Sequence, residues 1–256
     1  MTKNITVFSG TSDSVYIIKK LAEDGFRVIG SVATEEGRKM LSSVSGIEIS
    51  EERLDFPKMC DFLKRTGTNI VVDASHPYAE NVSKTAIEAC KSLGIKYIRY
   101  ERPSQHCGEN CIFVENYEEA VDYVNKIDGN ILITTGVNNI EKYKEVSDYK
   151  NRIYARVLDN ENSFNKAKNI GLSDDHILRG SGIYTLEDNI DVIKRYNIKA
   201  LVTKDSGKAG GFIEKIKSTE VLNIPAIIIK RPTIDYGTMT EDIDEVIDLV
   251  GRCDVG

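Results

Sequence analysis

Short apolar runs alternate with helical patterns along the whole chain, and that alternation is what most limits its fold. In the first half the runs are Ile5–Phe8, Val28–Val32, Ile47–Ile49, Ile70–Asp73 and Tyr97–Tyr100. Between them, Val15, Ile18, Leu21 and Ala22 share one helical face, as do Val82, Ala86, Ala89 and Leu93. Runs apolar on both faces, each followed by an amphipathic helix, predict a parallel sheet covered on both sides. The second half repeats the plan with Ile131–Thr134, Ile153–Val157, Ile177–Leu178, Leu201–Thr203 and Ala226–Ile229. Residue-level likeness accompanies it. Asn4 to Thr11 parallels Asn130 to Val137, and Glu101-Arg102-Pro103 parallels Lys230-Arg231-Pro232. The shift is 126 residues from Gly10 to Gly136 and 129 from Pro103 to Pro232. Near-equal shifts at both ends predict a duplicated α/β module.

The expected division is 1–115 and 116–256, with a polar boundary near Gln105–Glu115, where a short run, Ile112–Val114, and a helix from Tyr117 are expected to bridge the halves. A last helix, capped at Thr240-Glu241-Asp242, carries Ile243, Val246, Ile247 and Val250 on one face and is suited to pack on either module. The expected fold class is α/β: two similar Rossmann-like modules with mainly parallel sheets and a crevice between them.

Composition removes several function classes. The chain has 256 residues, 41% hydrophobic and 29% charged, which excludes disorder and low-complexity readings. Lys+Arg number 34 and Asp+Glu 40, a net charge of −6, so a general nucleic-acid binder is not expected. No apolar run approaches a membrane span, and the N-terminus enters a strand pattern without a signal-peptide core. Five scattered cysteines fit a reducing cytoplasm. His106, Cys107 and Cys111 cluster, but three ligands without a fourth make a poor zinc site, and no metal is expected.

Ligands of open α/β sheets bind beyond the carboxyl ends of the strands. The unusual segments fall there. Ser9-Gly10-Thr11-Ser12-Asp13 opens the first helix, where free N–H groups and hydroxyls suit a phosphate. It holds one glycine only, and a plain N-cap turn explains it as well. Ser31-Val32-Ala33-Thr34-Glu35-Glu36-Gly37-Arg38 follows the second strand, where such folds meet an adenosine ribose. Glu35 suits a ribose diol. Ser31, Thr34 and Arg38 suit a 2′-phosphate, so NADH and NADPH stay open; an exposed Glu35–Arg38 pair is the structural alternative.

Asp73-Ala74-Ser75-His76-Pro77-Tyr78-Ala79 follows the fourth strand. Proline at the first helical position would start the next helix and aim His76 and Tyr78 outward from the strand end. In the second half, Thr203-Lys204-Asp205-Ser206-Gly207-Lys208-Ala209-Gly210-Gly211-Phe212 is a glycine-rich loop ahead of a helix. Its backbone N–H groups, with Lys204 and Lys208, suit an anion; without the ending of a P-loop, a carboxylate is expected. Thr185 with Asp188 has the spacing of a capping box.

Together these motifs resemble the precorrin-6A reductases of corrin biosynthesis, including their cobalt-precorrin-6A counterparts. The likeness rests on Ser9-Gly10-Thr11, Ser31-Val32-Ala33-Thr34, Arg53-Leu54-Asp55, Asp73 through Ala79, Glu101-Arg102-Pro103, Thr134-Thr135-Gly136, Thr203 through Gly207 and Arg231-Pro232. It departs at Ser9 and Glu52, where the family has glycine, and at Gly182 through Asn189, which keeps only the Gly, Glu and Asn of the family's segment.

The resemblance implies hydride transfer from NADPH or NADH to a ring double bond of a tetrapyrrole. It puts the dinucleotide on Gly10, Thr11, Ser12, Ser31, Thr34, Arg38, Asp73 and Ser75. The macrocycle carboxylates would fall to Lys204, Ser206, Gly207, Lys208, Gly210 and Gly211. His76, Tyr78, Lys204 and Asp205 are candidate proton donors, with solvent as the alternative. A non-catalytic dinucleotide sensor and a two-domain nucleotide-sugar transferase are the competing readings, since fold alone does not separate them.

Overall fold

Strand pairing is parallel throughout the described residues. The computed structural model describes residues 2–105, 107–207 and 210–253. His106 and Lys208 therefore lie outside the described residues. The strands are β1 (Asn4–Phe8), β2 (Arg27–Val32), β3 (Glu48–Glu51), β4 (Ile70–Asp73), β5 (Lys96–Tyr100), β6 (Cys111–Val114), β7 (Asn130–Ile133), β8 (Ile153–Leu158), β9 (Ile177–Gly180), β10 (Ile198–Lys204), β11 (Ala226–Ile229) and β12 (Met239–Thr240). The helices are α1 (Ser12–Glu23), α2 (Glu35–Leu41), α3 (Phe56–Arg65), α4 (Glu80–Leu93), α5 (Tyr117–Val124), α6 (Tyr149–Arg152), α7 (Glu161–Asn169), α8 (Leu186–Arg195), α9 (Phe212–Val221) and α10 (Ile243–Arg252). None is long and apolar enough to cross a membrane.

Two six-stranded sheets result, ordered β12-β5-β4-β1-β2-β3 and β6-β11-β10-β7-β8-β9. Counted from its own central strand, each sheet has the same order, as duplication predicts. Their outermost strands are exchanged, however. β6 follows β5 in the chain yet pairs with β11, whereas β12 follows β11 yet pairs with β5.

The chain accordingly divides into one unit of Met1–Pro103 with Pro232–Gly256 and another of Ser104–Arg231. This differs from the 1–115 and 116–256 read from sequence. The run at 111–114 is a strand of the second sheet, so the break comes after Pro103. The last helix belongs to the first unit, because Val246 and Val250 of α10 are buried in the cluster that holds Ile17, Ile18 and Leu21 of α1.

The period-two alternation of the strands feeds two cores in the first unit. Ile70 and Val72 face α1 and α10, while Val71 between them faces Met59 and Phe62 of α3 and Ala86 and Ala89 of α4. Burial of each large side chain stabilises by about 1.5–3 kcal/mol. In the second unit the main cluster joins Ile131, Ile133, Ala155 and Val202 to Val121 and Val124 of α5 and to Tyr143.

Docking of α10 on the first unit is open to test. Val246→Asp puts an unpaired carboxylate in a fully buried position and is expected to cost about 3 kcal/mol or more in equilibrium urea unfolding. A loss of under about 1 kcal/mol, the size of a surface effect, would mean that this face of α10 is not part of the core.

Candidate functional site

The carboxyl ends of β1, β2 and β4 border a cavity of about 600 Å³ in the first unit. β1 lies between β2 and β4 in the sheet, so the chain runs outward from β1 in both directions and its end loops splay apart there. Open α/β sheets bind ligands at such a point. Ser9 and Gly10 wall the cavity after β1, Ser31 after β2, and Ser75 and His76 after β4.

Gly10 has φ 147°, a conformation that L side chains rarely adopt. A Cβ built on it would meet no protein atom within 4 Å, so bare backbone borders the cavity. Thr11 is the N-cap of α1: its hydroxyl accepts from Ser14 N at 3.1 Å and donates to Ala74 O at 3.2 Å. The hydroxyl of Thr11 is thus held by the protein, while Ser12 is exposed. The N–H groups of the first helical turn lack intrahelical acceptors by construction. Asp13 in that turn is paired with Arg102, so its charge is compensated where an anion would sit.

Beneath the loop after β4 lies a buried ionic network. Asp73 has no exposed surface. Its Oδ1 accepts from Ser75 N at 3.0 Å and pairs with Arg99 Nη1 at 2.9 Å. Its Oδ2 accepts from Ser83 Oγ at 2.5 Å and Tyr97 Oη at 2.7 Å. Burial, then the neighbouring Asp73 charge, raises the Tyr97 phenol well above its ordinary value, so it stays a donor. Arg99, also without exposed surface, donates Nε and Nη2 to Glu101 at 3.1 and 2.8 Å, and Nη1 to Ser75 Oγ at 3.2 Å. Sequence placed Asp73 among cofactor-binding residues; in the structure both of its carboxylate oxygens are engaged by protein.

The segment after β2 also corrects the sequence reading. Ser31 lines the cavity, but Thr34 caps α2 through Gly37 N at 3.2 Å, and Arg38 is exposed, 3.8 Å from Glu51. Glu35 pairs with Lys39 at 2.9 Å rather than with Arg38. The cations on the cavity wall are instead Arg53 and Lys58, between β3 and the first turn of α3. Sequence reasoning did not single them out, although the Arg53-Leu54-Asp55 motif marked the segment.

Pro77 does not start a helix. Ala79 N donates to His76 O at 2.7 Å, closing a turn with Pro77 at its second position, and α4 begins at Glu80. His76 is half-buried on the cavity wall, and its Nδ1 accepts from Tyr78 N at 3.2 Å. The neutral ring then carries its proton on Nε2. Tyr78 packs its ring 5.8 Å from that of His76.

The second unit presents the other candidates at the end of β10. Lys204 Nζ lies over the Tyr117 ring at 5.6 Å. Asp205 is nearly buried, 3.2 Å from Arg231 Nη2, and accepts from Gly207 N at 3.3 Å. Ser206 Oγ donates to Gly210 O at 3.4 Å, and Gly211 stands at the N-cap of α9. Asp205 is thereby placed as an anchor of the loop, with its carboxylate held by a cation.

The model of the family described as precorrin-6x reductase CbiJ/CobK matches residues 4–251. A cobalt-precorrin-6A reductase of Priestia megaterium is 34% identical over 246 residues, 95% of this chain and 96% of its own. Another, of Methanocaldococcus jannaschii, is 34% identical over 250 residues, 97% of this chain and 98% of its own. The solved structure of CobK precorrin-6A reductase superposes with a TM-score of 0.79 at 19% identity, covering 98% of this chain and 96% of that one. That likeness is one of fold.

The ionic network should dominate local stability. Arg99→Met strands two buried carboxylates and is expected to cost about 3–5 kcal/mol in urea unfolding. Lys19→Ala, which breaks the exposed Lys19–Glu23 pair, should change stability by less than about 1 kcal/mol. Equal effects from the two substitutions would contradict the buried network.

Proposed function

The chain belongs to the precorrin-6x reductase family and is a reductase of cobalamin biosynthesis; we propose that it reduces one ring double bond of cobalt-precorrin-6A, giving cobalt-precorrin-6B, with NADPH as hydride source. The observation that carries the cofactor part is the first-unit cavity at the ends of β1, β2 and β4. Cobalt belongs to the substrate, as in the names of the two relatives at 34% identity. When bound, the reduced nicotinamide supplies the hydride; the protein contributes placement and exclusion of water.

In this reading the first unit holds the dinucleotide. Gly10 offers close approach to backbone, and Thr11 and Ser12 open α1 towards the pyrophosphate. Arg53 and Lys58, with Ser31 near the end of β2, suit a 2′-phosphate, which favours NADPH over NADH. Thr34 and Arg38 are occupied at the cap of α2 and with Glu51, and Asp73 acts through Ser75. The second unit holds the macrocycle, whose carboxylates suit Lys204, Lys208 and the loop Ser206, Gly207, Gly210 and Gly211. His76 is the proton donor we favour over Tyr78, Lys204 and Asp205, because it lines the cavity and its Nδ1, accepting from Tyr78 N, leaves the ring proton on Nε2.

The chain has no tryptophan, so reduced-nicotinamide fluorescence reports binding cleanly. Titration should show tighter binding of NADPH than of NADH. Arg53→Ala and Lys58→Ala should each weaken NADPH by about tenfold and NADH much less. Equal affinities in wild type and variants would remove the phosphate role of these residues. Under anaerobic conditions, cobalt-precorrin-6A should oxidise NADPH stoichiometrically. His76→Ala should lower kcat at least about tenfold, and a wild-type rate would exclude it as the acid.

A further inference from the structure

A second cationic centre lies in the other unit, built on Arg156 and Lys215, which belong to none of the motifs discussed so far. Arg156 projects from β8, and its Nη1 donates to Asn189 Oδ1 of α8 at 2.7 Å. Asn189 is fully buried and donates its Nδ2 to Thr185 O at 2.7 Å, which fixes which way the amide points. The guanidinium is therefore oriented. Its Nε and Nη2, however, are buried without a hydrogen-bond partner among the described residues. Those two nitrogens form the edge of a guanidinium that matches a carboxylate with two parallel hydrogen bonds.

Asp188 acts on the Arg156 charge and Glu214 on that of Lys215 only from a distance, without an ion pair to either cation among the described residues. Lys215 of α9 donates Nζ to Gly210 O at 3.0 Å. Burial, and next the Arg156 charge, push the Lys215 ammonium down to about 8. Two desolvated cations within electrostatic reach of each other, with no carboxylate paired to either among the described residues, call for an anion. Glu214 lies within electrostatic reach of Lys215, but its buried Oε2 makes no hydrogen bond, and the Nε and Nη2 donors of Arg156 stay unmet.

The ring of Tyr184 covers one face of this centre. Tyr184 lies 3.8 Å over the Arg156 guanidinium. It packs so closely on β9 that a Cβ at Gly180 would stand 1.8 Å from its hydroxyl. Tyr184 sits in a loop whose neighbours Ser181, Gly182, Ile183 and Thr185 are all exposed. The backbone on either side of the ring is thus open to solvent, as in segments that open locally.

We infer that Arg156 and Lys215 form a carboxylate subsite in the second unit, gated by Tyr184, which takes one acidic side chain of the macrocycle. The subsite rests on the functional reading above and deepens it. A bidentate carboxylate on the Nε/Nη2 edge satisfies both orphan donors at once, and the ammonium of Lys215 adds a second attraction. A small free anion has the same chemistry, so the source must be told apart by experiment.

The test is steady-state reduction of cobalt-precorrin-6A by NADPH in wild type, Arg156→Gln, Arg156→Lys and Lys215→Met, with NADPH affinity measured separately by fluorescence. Arg156→Gln is expected to raise KM for the corrinoid at least about tenfold, with NADPH affinity unchanged. Arg156→Lys should recover only part of that loss, because a point charge lacks the fork. Lys215→Met should raise KM in the same direction, and it keeps the proposal testable if Arg156→Gln fails to fold. Unchanged KM in the folded variants, beside an active wild type, overturns the subsite and leaves the reductase reading standing. A wild type that binds NADPH but never reduces cobalt-precorrin-6A overturns the functional reading itself. Stabilisation of wild type but not Arg156→Gln by inorganic phosphate or acetate, with KM unchanged, would assign the centre to a free anion and overturn the macrocycle source.

Discussion

One guanidinium, that of Arg99, holds two carboxylates in the interior of the first unit, and the floor of the cavity depends on it. Neither Arg99 nor Asp73 has exposed surface. Charges so desolvated are tolerable only when each is met by opposite charge and by donors. Asp73 meets that condition through Arg99, Ser75, Ser83 and Tyr97, drawn from β5, the loop after β4 and α4. The network ties strand to helix at the point where the cavity-lining loop departs. Ser75 is held from both sides, by its N–H on Asp73 and by its hydroxyl on Arg99. A loop fixed in this way needs little reorganisation when a ligand arrives.

Much of the fold was legible because parallel strands buried on both faces leave short apolar runs that are hard to mistake. All ten expected runs, and the bridging one at 112–114, overlap strands. β12 was not visible: at two residues, Met239 and Thr240, it has no apolar run to show. The exchange of β6 and β12 was equally hidden, since a strand sequence states that it will pair and not with which sheet. The Thr185–Asp188 capping box, by contrast, formed as its spacing predicted, because capping is a local matter.

The site was legible as loops and less so as contacts. The sequence located the segments after β1, β2, β4 and β10 correctly, since position after a strand is topological. It did not show which side chains burial and ion pairing engage within the protein. Asp73 looked like a ligand contact because its partner Arg99 is 26 residues away along the chain, beyond any local pattern. Arg53 and Lys58 went unread because Glu35 and Arg38 occupy the more familiar position, yet Lys39 and Glu51 engage those two side chains. Arg156 is invisible in sequence: one arginine in a strand gives no hint that its fork will be buried. The sensor and transferase readings stood only while the family was unknown.

The exchanged strands bear on how the chain reaches this fold as it leaves the ribosome. Residues 104–231 are continuous, so the second unit has all of its strands once Arg231 has emerged. The first unit, though translated earlier, must wait with the β5 edge of its sheet unpaired until β12 and α10 arrive. Synthesis and completion thus run in opposite order: the half made first closes last, and the apolar seat for Val246 and Val250 stays uncovered while most of the polypeptide is made. Exposed strand edges of that kind attract other chains, which makes β12 and α10 the elements on which escape from aggregation during synthesis turns.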